Sequence, residues 1–260
     1  MDFRTKNLKE IKAYIKKNVS MEDYPPLIET LKKDHRKSVY QLGVNLQKKY
    51  GIYRGELLRL EKMREYEKTA YQHGYSFVAG IDEVGRGPLA GPVVSAAVIL
   101  PKDFLILHIN DSKKLSPKKR EELYIKIKDH ALDIGIGVVD APIIDRVNIY
   151  QATKMSIVLA VNNLQIKPDI LFLDAMKCED LPIPQWTIIK GDTKSISIAA
   201  ASIIAKVTRD KMMEDYHNSY PHYCFNKNKG YGTHEHRMAI NEHGIISIHR
   251  KSFLKNIINK

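Results

Sequence analysis

Gly80-Ile81-Asp82-Glu83-Val84-Gly85-Arg86-Gly87-Pro88-Leu89-Ala90-Gly91-Pro92 is the stretch around which the chain is organised. An apolar run, Phe77-Val78-Ala79, leads into it, and a second apolar run over 93–100 leads away. The pattern reads as two buried strands joined by a tight, acid-bearing bend. Acids at the end of a core strand are costly to desolvate unless a positive group offsets the cost. A divalent metal or an Arg or Lys is the usual partner. Successive strand residues face opposite sides. Asp82 and Glu83 are therefore expected to share one site only if the strand ends there and the chain turns, which Gly85 and Gly87 make easy.

Two further strand ends carry acids. Asp174 closes the run Ile170-Leu171-Phe172-Leu173, and Asp192 follows another in Ile189-Lys190-Gly191-Asp192-Thr193-Lys194. In sheets with helices on their faces, sites gather at strand ends. Four oxygen ligands, Asp82, Glu83, Asp174 and Asp192, suit Mg²⁺ or Mn²⁺ rather than Zn²⁺, for which Cys or His would be expected. Read singly, Asp192 is equally a helix cap and Asp174 a strand-end turn residue.

Composition sets the outer bounds. At 260 residues the chain accommodates one large domain, or one domain and a small one. A hydrophobic content of 43% supports a sizeable core. The formal charge of +12 points to a polyanionic partner, nucleic acid or an acidic membrane surface. Cys178 and Cys224 have no metal-site spacing and fit a reducing compartment. Met1-Asp2-Phe3-Arg4-Thr5-Lys6 lacks the apolar core of a signal peptide. The longest apolar segments fall short of the ~20 residues that span a bilayer. The expectation is a soluble, cytoplasmic monomer without membrane contact.

Residues 1–70 read as a small helical extension. Leu8, Ile11, Ile15 and Val19 recur at helical spacing. Pro25-Pro26 breaks that pattern, a second follows through Leu27, Leu31, Val39, Leu42 and Leu46, and a third runs from Gly55 towards Tyr71. This region has 17 Lys or Arg against 10 Asp or Glu, a net +7. Such charge is either a set of solvated helix faces or an auxiliary nucleic-acid clamp. Residues 71–260 read as a mixed α/β domain with a helical C-terminal tail. Strands are expected at 77–82, 93–100, 134–139, 170–174 and 186–190, with helices at about 145–164 and 195–216. Ser116 as N-cap with Pro117 at the first position opens another helix through about residue 130. The order implies a mixed sheet flanked by helices.

At this point the chain resembles ribonuclease HII, the type 2 ribonuclease H family. The carriers are the opening stretch, Asp111-Ser112-Lys113-Lys114-Leu115, Leu173-Asp174-Ala175, and Lys190-Gly191-Asp192-Thr193-Lys194-Ser195 with Ile198-Ala199-Ala200-Ala201-Ser202-Ile203-Ile204-Ala205-Lys206-Val207-Thr208-Arg209-Asp210. Lys229-Gly230-Tyr231-Gly232-Thr233-His234 and His249-Arg250-Lys251-Ser252-Phe253 complete the set. The resemblance covers about residues 75–255. It implies a ribonuclease H-like sheet. It also implies endonucleolytic cleavage of the RNA strand in RNA–DNA hybrids and at single ribonucleotides in duplex DNA. Two divalent ions, Mg²⁺ or Mn²⁺, would sit on Asp82, Glu83, Asp174 and Asp192 as catalytic ligands, giving 3′-hydroxyl and 5′-phosphate ends. Ribonucleotide removal and primer processing are the implied roles.

Gly85-Arg86-Gly87 would read a 2′-hydroxyl through backbone groups, and Tyr231 would stack on the following deoxyribose. Lys113, Lys114, Arg250, Lys251, Ser112, Thr193 and Ser195 are candidate phosphate contacts, which position without reading sequence. Each basic one is equally a solvated surface charge. His234 and His249 lack metal spacing and read as loop-ordering residues. Two alternatives stand beside this reading: a non-catalytic basic nucleic-acid-binding protein, and a DNA nuclease or integrase on the same fold. The four acids argue against the first, because carboxylates repel phosphate unless metal intervenes. The 2′-hydroxyl readers argue against the second.

Overall fold

The computed structural model describes residues 3–254. The chain divides into two compact units, Met1–Glu61 and Lys62–Lys260. In the first, helix α1 (Leu8–Asn18) starts at a capping box, in which Asn7 accepts from the Glu10 amide and Glu10 from the Asn7 amide. Helix α2 (Tyr24–Lys32) carries Pro25 and Pro26 in its first turn, where a missing N–H costs nothing. Helix α3 (Lys37–Met63) is continuous through Gly51 and Gly55, so Val39, Leu42 and Leu46 of the second helical pattern share one long helix with the start of the third, while Leu27 and Leu31 belong to α2. The break lies at 33–36, where Asp34 accepts from the backbone and guanidinium of Arg36. Arg36 also donates to the carbonyls of Phe3 and Lys6, fastening the start of the chain. Ile11, Ile15, Leu27, Ile28, Leu31, Val39 and Leu46 form this unit's core.

The second unit opens with helix α4 (Glu65–Gln72). Strands β1 (Val78–Val84), β2 (Val93–Ile99), β3 (Asp133–Val139), β4 (Ile170–Asp174) and β5 (Gln185–Ile188) form one mixed sheet in the order β3-β2-β1-β4-β5. The β1–β2 and β2–β3 pairs are antiparallel; β1–β4 and β4–β5 are parallel. Helix α5 (Pro117–His130) follows β2, with Ser116 accepting from the Lys119 amide as its cap. Helix α6 (Ala141–Asn162) follows β3 and helix α7 (Ile196–Ser219) follows β5. Short helices α8 (Phe225–Asn228), α9 (His234–His243) and α10 (Lys251–Leu254) complete the described chain.

Side-chain parity divides the two faces of the sheet. Ala79, Ile81, Leu171 and Leu173 pack with Ile157, Ala160 and Val161 of α6. Val78, Ile170 and Phe172 pack with Ala70 of α4 and Ile198 of α7. At Gly80 the α7 backbone comes so close that an added Cβ would overlap the Ser197 carbonyl carbon and the Ile198 nitrogen. This contact sets how near the start of α7 lies to the end of β1. Among the described residues no helix is long and apolar enough to cross a membrane.

Candidate active site

Strand β1 does not stop at Asp82. It continues through Val84, with Asp82 opposite Ala96, Glu83 opposite Ser95 and Val84 opposite Val94 of β2. Antiparallel pairing carries the strand past the point at which the acids were expected to end it. A regular strand would send Asp82 and Glu83 to opposite faces, yet the Glu83 carboxylate feels the charges of Asp174 and Lys113 and so reaches the same cluster. Asp82 shares its parity with Val78 and lies on the α4/α7 face, as does Asp174, which shares parity with Phe172. The parallel register pairs Ile81 with Leu173. Asp82, two residues before the end of β1, and Asp174, the last residue of β4, thus occupy neighbouring positions on one face. Asp192 joins them from the 3₁₀ turn Gly191–Thr193 that precedes α7.

The carboxylates interact electrically. Burial, then the charge of Glu83, pushes the Asp82 carboxyl well above its ordinary value, while Ser202 and the Glu83 amide hydrogen-bond to it and pull it down. Burial also raises Glu83, against the opposing pull of Arg86, which donates to it at 3.1 Å. Asp192 is raised by burial, then by the charges of Asp111 and Asp174. Burial works against the Lys113 ammonium, yet Asp82, Asp111 and Asp192 outweigh it and raise its pKa. Among the described residues no group of three or more His, Cys, Asp or Glu side chains is placed to hold a metal ion. The carboxylates repel one another and take separate donors, Asp174 from the Gly191 amide at 3.0 Å and Asp82 from the Glu83 amide at 2.8 Å. An all-oxygen set in which Asp82, Glu83 and Asp192 are each pushed up in part by neighbouring carboxylate charge fits a hard divalent cation, which would replace that repulsion with attraction.

Backbone strain marks the same places. Gly85, Ala175 and Lys190 have φ of 96°, 54° and 58°, so a left-handed residue lies next to or near each acid-bearing strand end. At Gly85 a Cβ would collide with the Arg209 guanidinium.

The proposed readers lie together. A Cβ added at Gly87 would sit 3.8 Å from Cε1 of Tyr231. Tyr231 is 44% exposed, and Arg86 and Gly87 are exposed as well. The two loops are joined where the Leu89 amide donates to the Gly230 carbonyl at 2.8 Å. Lys113 and Lys114 are exposed and Thr193 is half-buried. The Lys251 side chain is exposed, while its amide donates to Asp145.

Three expected phosphate contacts face inward instead. Arg250 is fully buried and donates to the carbonyls of Gly85, Arg86 and Gly91. Ser195 is buried on Glu67, and the Ser112 hydroxyl is buried against that of Ser202. Each is a scaffold residue, because its polar atoms are already engaged inside the protein.

Sequence reasoning missed Arg209 and His236. Arg209 is also fully buried and donates to the carbonyls of Ala90, Pro92 and Lys229. Burial lowers the pKa of Arg209 to about 10; burial and then the charge of Arg209 lower that of Arg250 to about 9. Arg209 ties the loop after β1 to the segment before Tyr231, while Arg250 holds that loop to the C-terminal segment. His236 donates through Nδ1 to the Tyr231 carbonyl at 2.9 Å and meets His249 Nε2 at 3.0 Å. The Ile246 amide donates to His249 Nδ1. His249 Nε2–H must therefore donate to His236 Nε2, which fixes both neutral tautomers.

Residues 79–256 match the family model for ribonuclease HII, and residues 7–71 match that for the ribonuclease HII N-terminal domain. The chain belongs to the ribonuclease HII family. It is 51% identical over 253 residues to ribonuclease HII of Clostridioides difficile, covering 97% of this chain and 99% of that one. It is 52% identical over 247 residues to ribonuclease HII of Acetivibrio thermocellus, covering 94% and 96%. The ribonuclease H2 crystal structure from Pyrococcus horikoshii aligns with a TM-score of 0.59 at 28% identity, over 71% of this chain and 98% of that one. As a member of the ribonuclease HII family the chain is a metal-dependent ribonuclease H, and the sheet described above is the ribonuclease H fold.

Proposed function

We propose that this ribonuclease HII cleaves the RNA strand of RNA–DNA hybrids and nicks duplex DNA on the 5′ side of single ribonucleotides. The supporting observation is the juxtaposition of two sets of residues. Asp82 and Asp174 share one face of adjacent strands, Asp192 feels the charge of Asp174 from the turn before α7, and Gly87, on the loop that leaves β1, lies near the ring of Tyr231. Asp82, Glu83, Asp174 and Asp192 would hold Mg²⁺ or Mn²⁺, and two such ions supply an activated water and a stabilised leaving oxygen. Water adds to phosphorus and the P–O3′ bond breaks, leaving a 3′-hydroxyl and a 5′-phosphate on the ribonucleotide. Gly85-Arg86-Gly87 presents backbone groups to the 2′-hydroxyl, the group that separates RNA from DNA. Tyr231 offers its exposed ring to the next sugar. The exposed Lys113, Lys114 and Lys251 and the half-buried Thr193 would meet phosphates. Ribonucleotide removal and primer processing are the roles that such a specificity serves.

The test is cleavage of duplex DNA containing one ribonucleotide, with Mg²⁺, with Mn²⁺ and with chelator, beside Asp174→Asn. The expected outcome is a metal-dependent 5′-side nick, reduced at least about 10³-fold in the variant, roughly 4 kcal/mol of barrier. Binding without cutting would favour a non-catalytic binder. Equal cutting of all-DNA duplex would favour the DNA-nuclease alternative.

A further inference from the structure

We infer that Glu67 is a positioning residue for Asp192, acting through the first turn of α7. Glu67 is on α4, 3% exposed. Its Oε1 accepts from the Ser195 hydroxyl at 2.5 Å and from the Ser197 amide at 3.0 Å. Ser195 Oγ in turn accepts from the Ile198 amide and caps α7. The Ser195 amide donates to the Gly191 carbonyl at 2.8 Å, and the Gly191 amide donates to Asp174 Oδ1 at 3.0 Å. Asp192 therefore sits inside a hydrogen-bonded path that runs from Glu67 through Ser195 and Gly191 to Asp174. The turn begins at Lys190 in the left-handed region and ends at Ser197–Ile198, which pack against Gly80 of β1. Glu67 is the anchor supplied from outside the sheet.

The choice of residue carries the inference. Ala70, one turn further along α4, already packs in the apolar cluster with Ile198, so an apolar residue at 67 would extend that contact. A carboxyl is there instead, with Oε2 buried and unpartnered. That arrangement is costly. Burial pushes the Glu67 pKa up, towards a neutral acid that still accepts through Oε1. What the carboxyl contributes is an acceptor for two donors at the start of α7, and those donors fix the turn that presents Asp192. The match to the N-terminal family model runs to residue 71, whereas α4 lies in the second compact unit. The anchor thus belongs to the catalytic unit in space, although the N-terminal model covers it in sequence.

The inference rests on the reading of Asp192 as a metal-holding carboxylate, and the test separates the two. Full-length Glu67→Leu, Glu67→Gln, Ser195→Ala and Asp192→Asn are compared with the parent chain by Mn²⁺ calorimetry without substrate, urea unfolding without metal, and kcat and KM. Glu67→Leu is expected to weaken Mn²⁺ binding about tenfold and to lower kcat, with KM within about twofold. Glu67→Gln keeps an oxygen acceptor at the same place and is expected to restore both. Ser195→Ala, which leaves Glu67 intact, is expected to weaken Mn²⁺ in the same direction. Glu67→Leu and Ser195→Ala that unfold more easily yet bind Mn²⁺ like the parent overturn the inference and leave Glu67 a stability residue. Equal loss in Glu67→Gln and Glu67→Leu also overturns it. If Asp192→Asn binds Mn²⁺ like the parent, the reading of Asp192 itself fails.

Discussion

At Arg250 the guanidinium makes no ion pair among the described residues and spends its donors on the carbonyls of Gly85, Arg86 and Gly91. A Lys there keeps the charge but loses the planar fork, so it can satisfy only part of that set. Arg250→Lys should cost about 2–4 kcal/mol in urea unfolding. Arg250→Gln, which removes the charge, should leave the salt dependence of substrate binding unchanged, whereas loss of a phosphate contact would lower that slope by about one. Arg250 sits beside a basic residue and a serine, which is why its sequence context reads as phosphate-facing; only its burial separates scaffold from contact. Tyr231 presents the opposite case, with its ring in the open beside Gly87. Stacking of this kind is worth roughly 1–3 kcal/mol. Tyr231→Ala should therefore lose about tenfold or more in kcat/KM on a single-ribonucleotide duplex, and Tyr231→Phe should stay within about threefold of the parent. A collapse in the Phe variant would transfer the role from the ring to the hydroxyl.

Among the elements, β1 shows where the sequence was legible and where it was not. Its apolar run, its acids and its partner β2 were readable because a buried strand needs continuous hydrophobicity. Its end was not, because Gly85 and Arg86 mark a turn while antiparallel pairing to Ser95 and Val94 extends the strand to Val84. The cap at Ser116 was readable because capping is local. Glu67 was not, since a Glu next to Lys68 on a polar helix reads as solvent-facing; the signal was its i,i+3 spacing to the buried Ala70. The contact between His236 of α9 and His249 was equally hidden, with its two members thirteen residues apart in sequence and meeting only through the fold. That contact has a pH consequence. Burial, then the neighbouring His236, lowers His249 from 6.5 to about 4, and burial lowers His236. Between about pH 4 and 6.5 the unfolded chain binds more protons than the folded one, so stability rises with pH. This contribution is complete above 6.5 and is lost as pH falls towards 4. The urea midpoint should drop between pH 7 and pH 5, and His249→Phe, less stable at pH 7, should show a shallower drop. Identical slopes would remove the pair from the acid response.

For the whole molecule, the charge is unevenly spread over the chain. Residues 1–61 hold 14 Lys or Arg against 8 Asp or Glu, a net +6, and the remaining 199 residues hold the other +6 of the +12. Per residue, the first unit is about three times as positive. Its apolar positions are already used in a core of its own, so the exposed Lys9, Lys12, Lys16 and Lys17 of α1 are not needed to hold that core together. Exposed lysines on a helix are either solvated or release counterions on meeting phosphate, and salt dependence tells the two apart. If the extension is a clamp on the duplex, changing these four to Gln should lower the slope of log affinity against log salt by about 3.6, at roughly 0.9 per phosphate contact on duplex. The loss should be the same for hybrids of different sequence, since phosphate contacts carry no base information. It should appear in KM while kcat holds, because the carboxylates of the catalytic unit are untouched. A quadruple variant with the parent's slope would make these lysines solubilising charge and leave substrate binding to Lys113, Lys114, Lys251 and the loop that carries Tyr231.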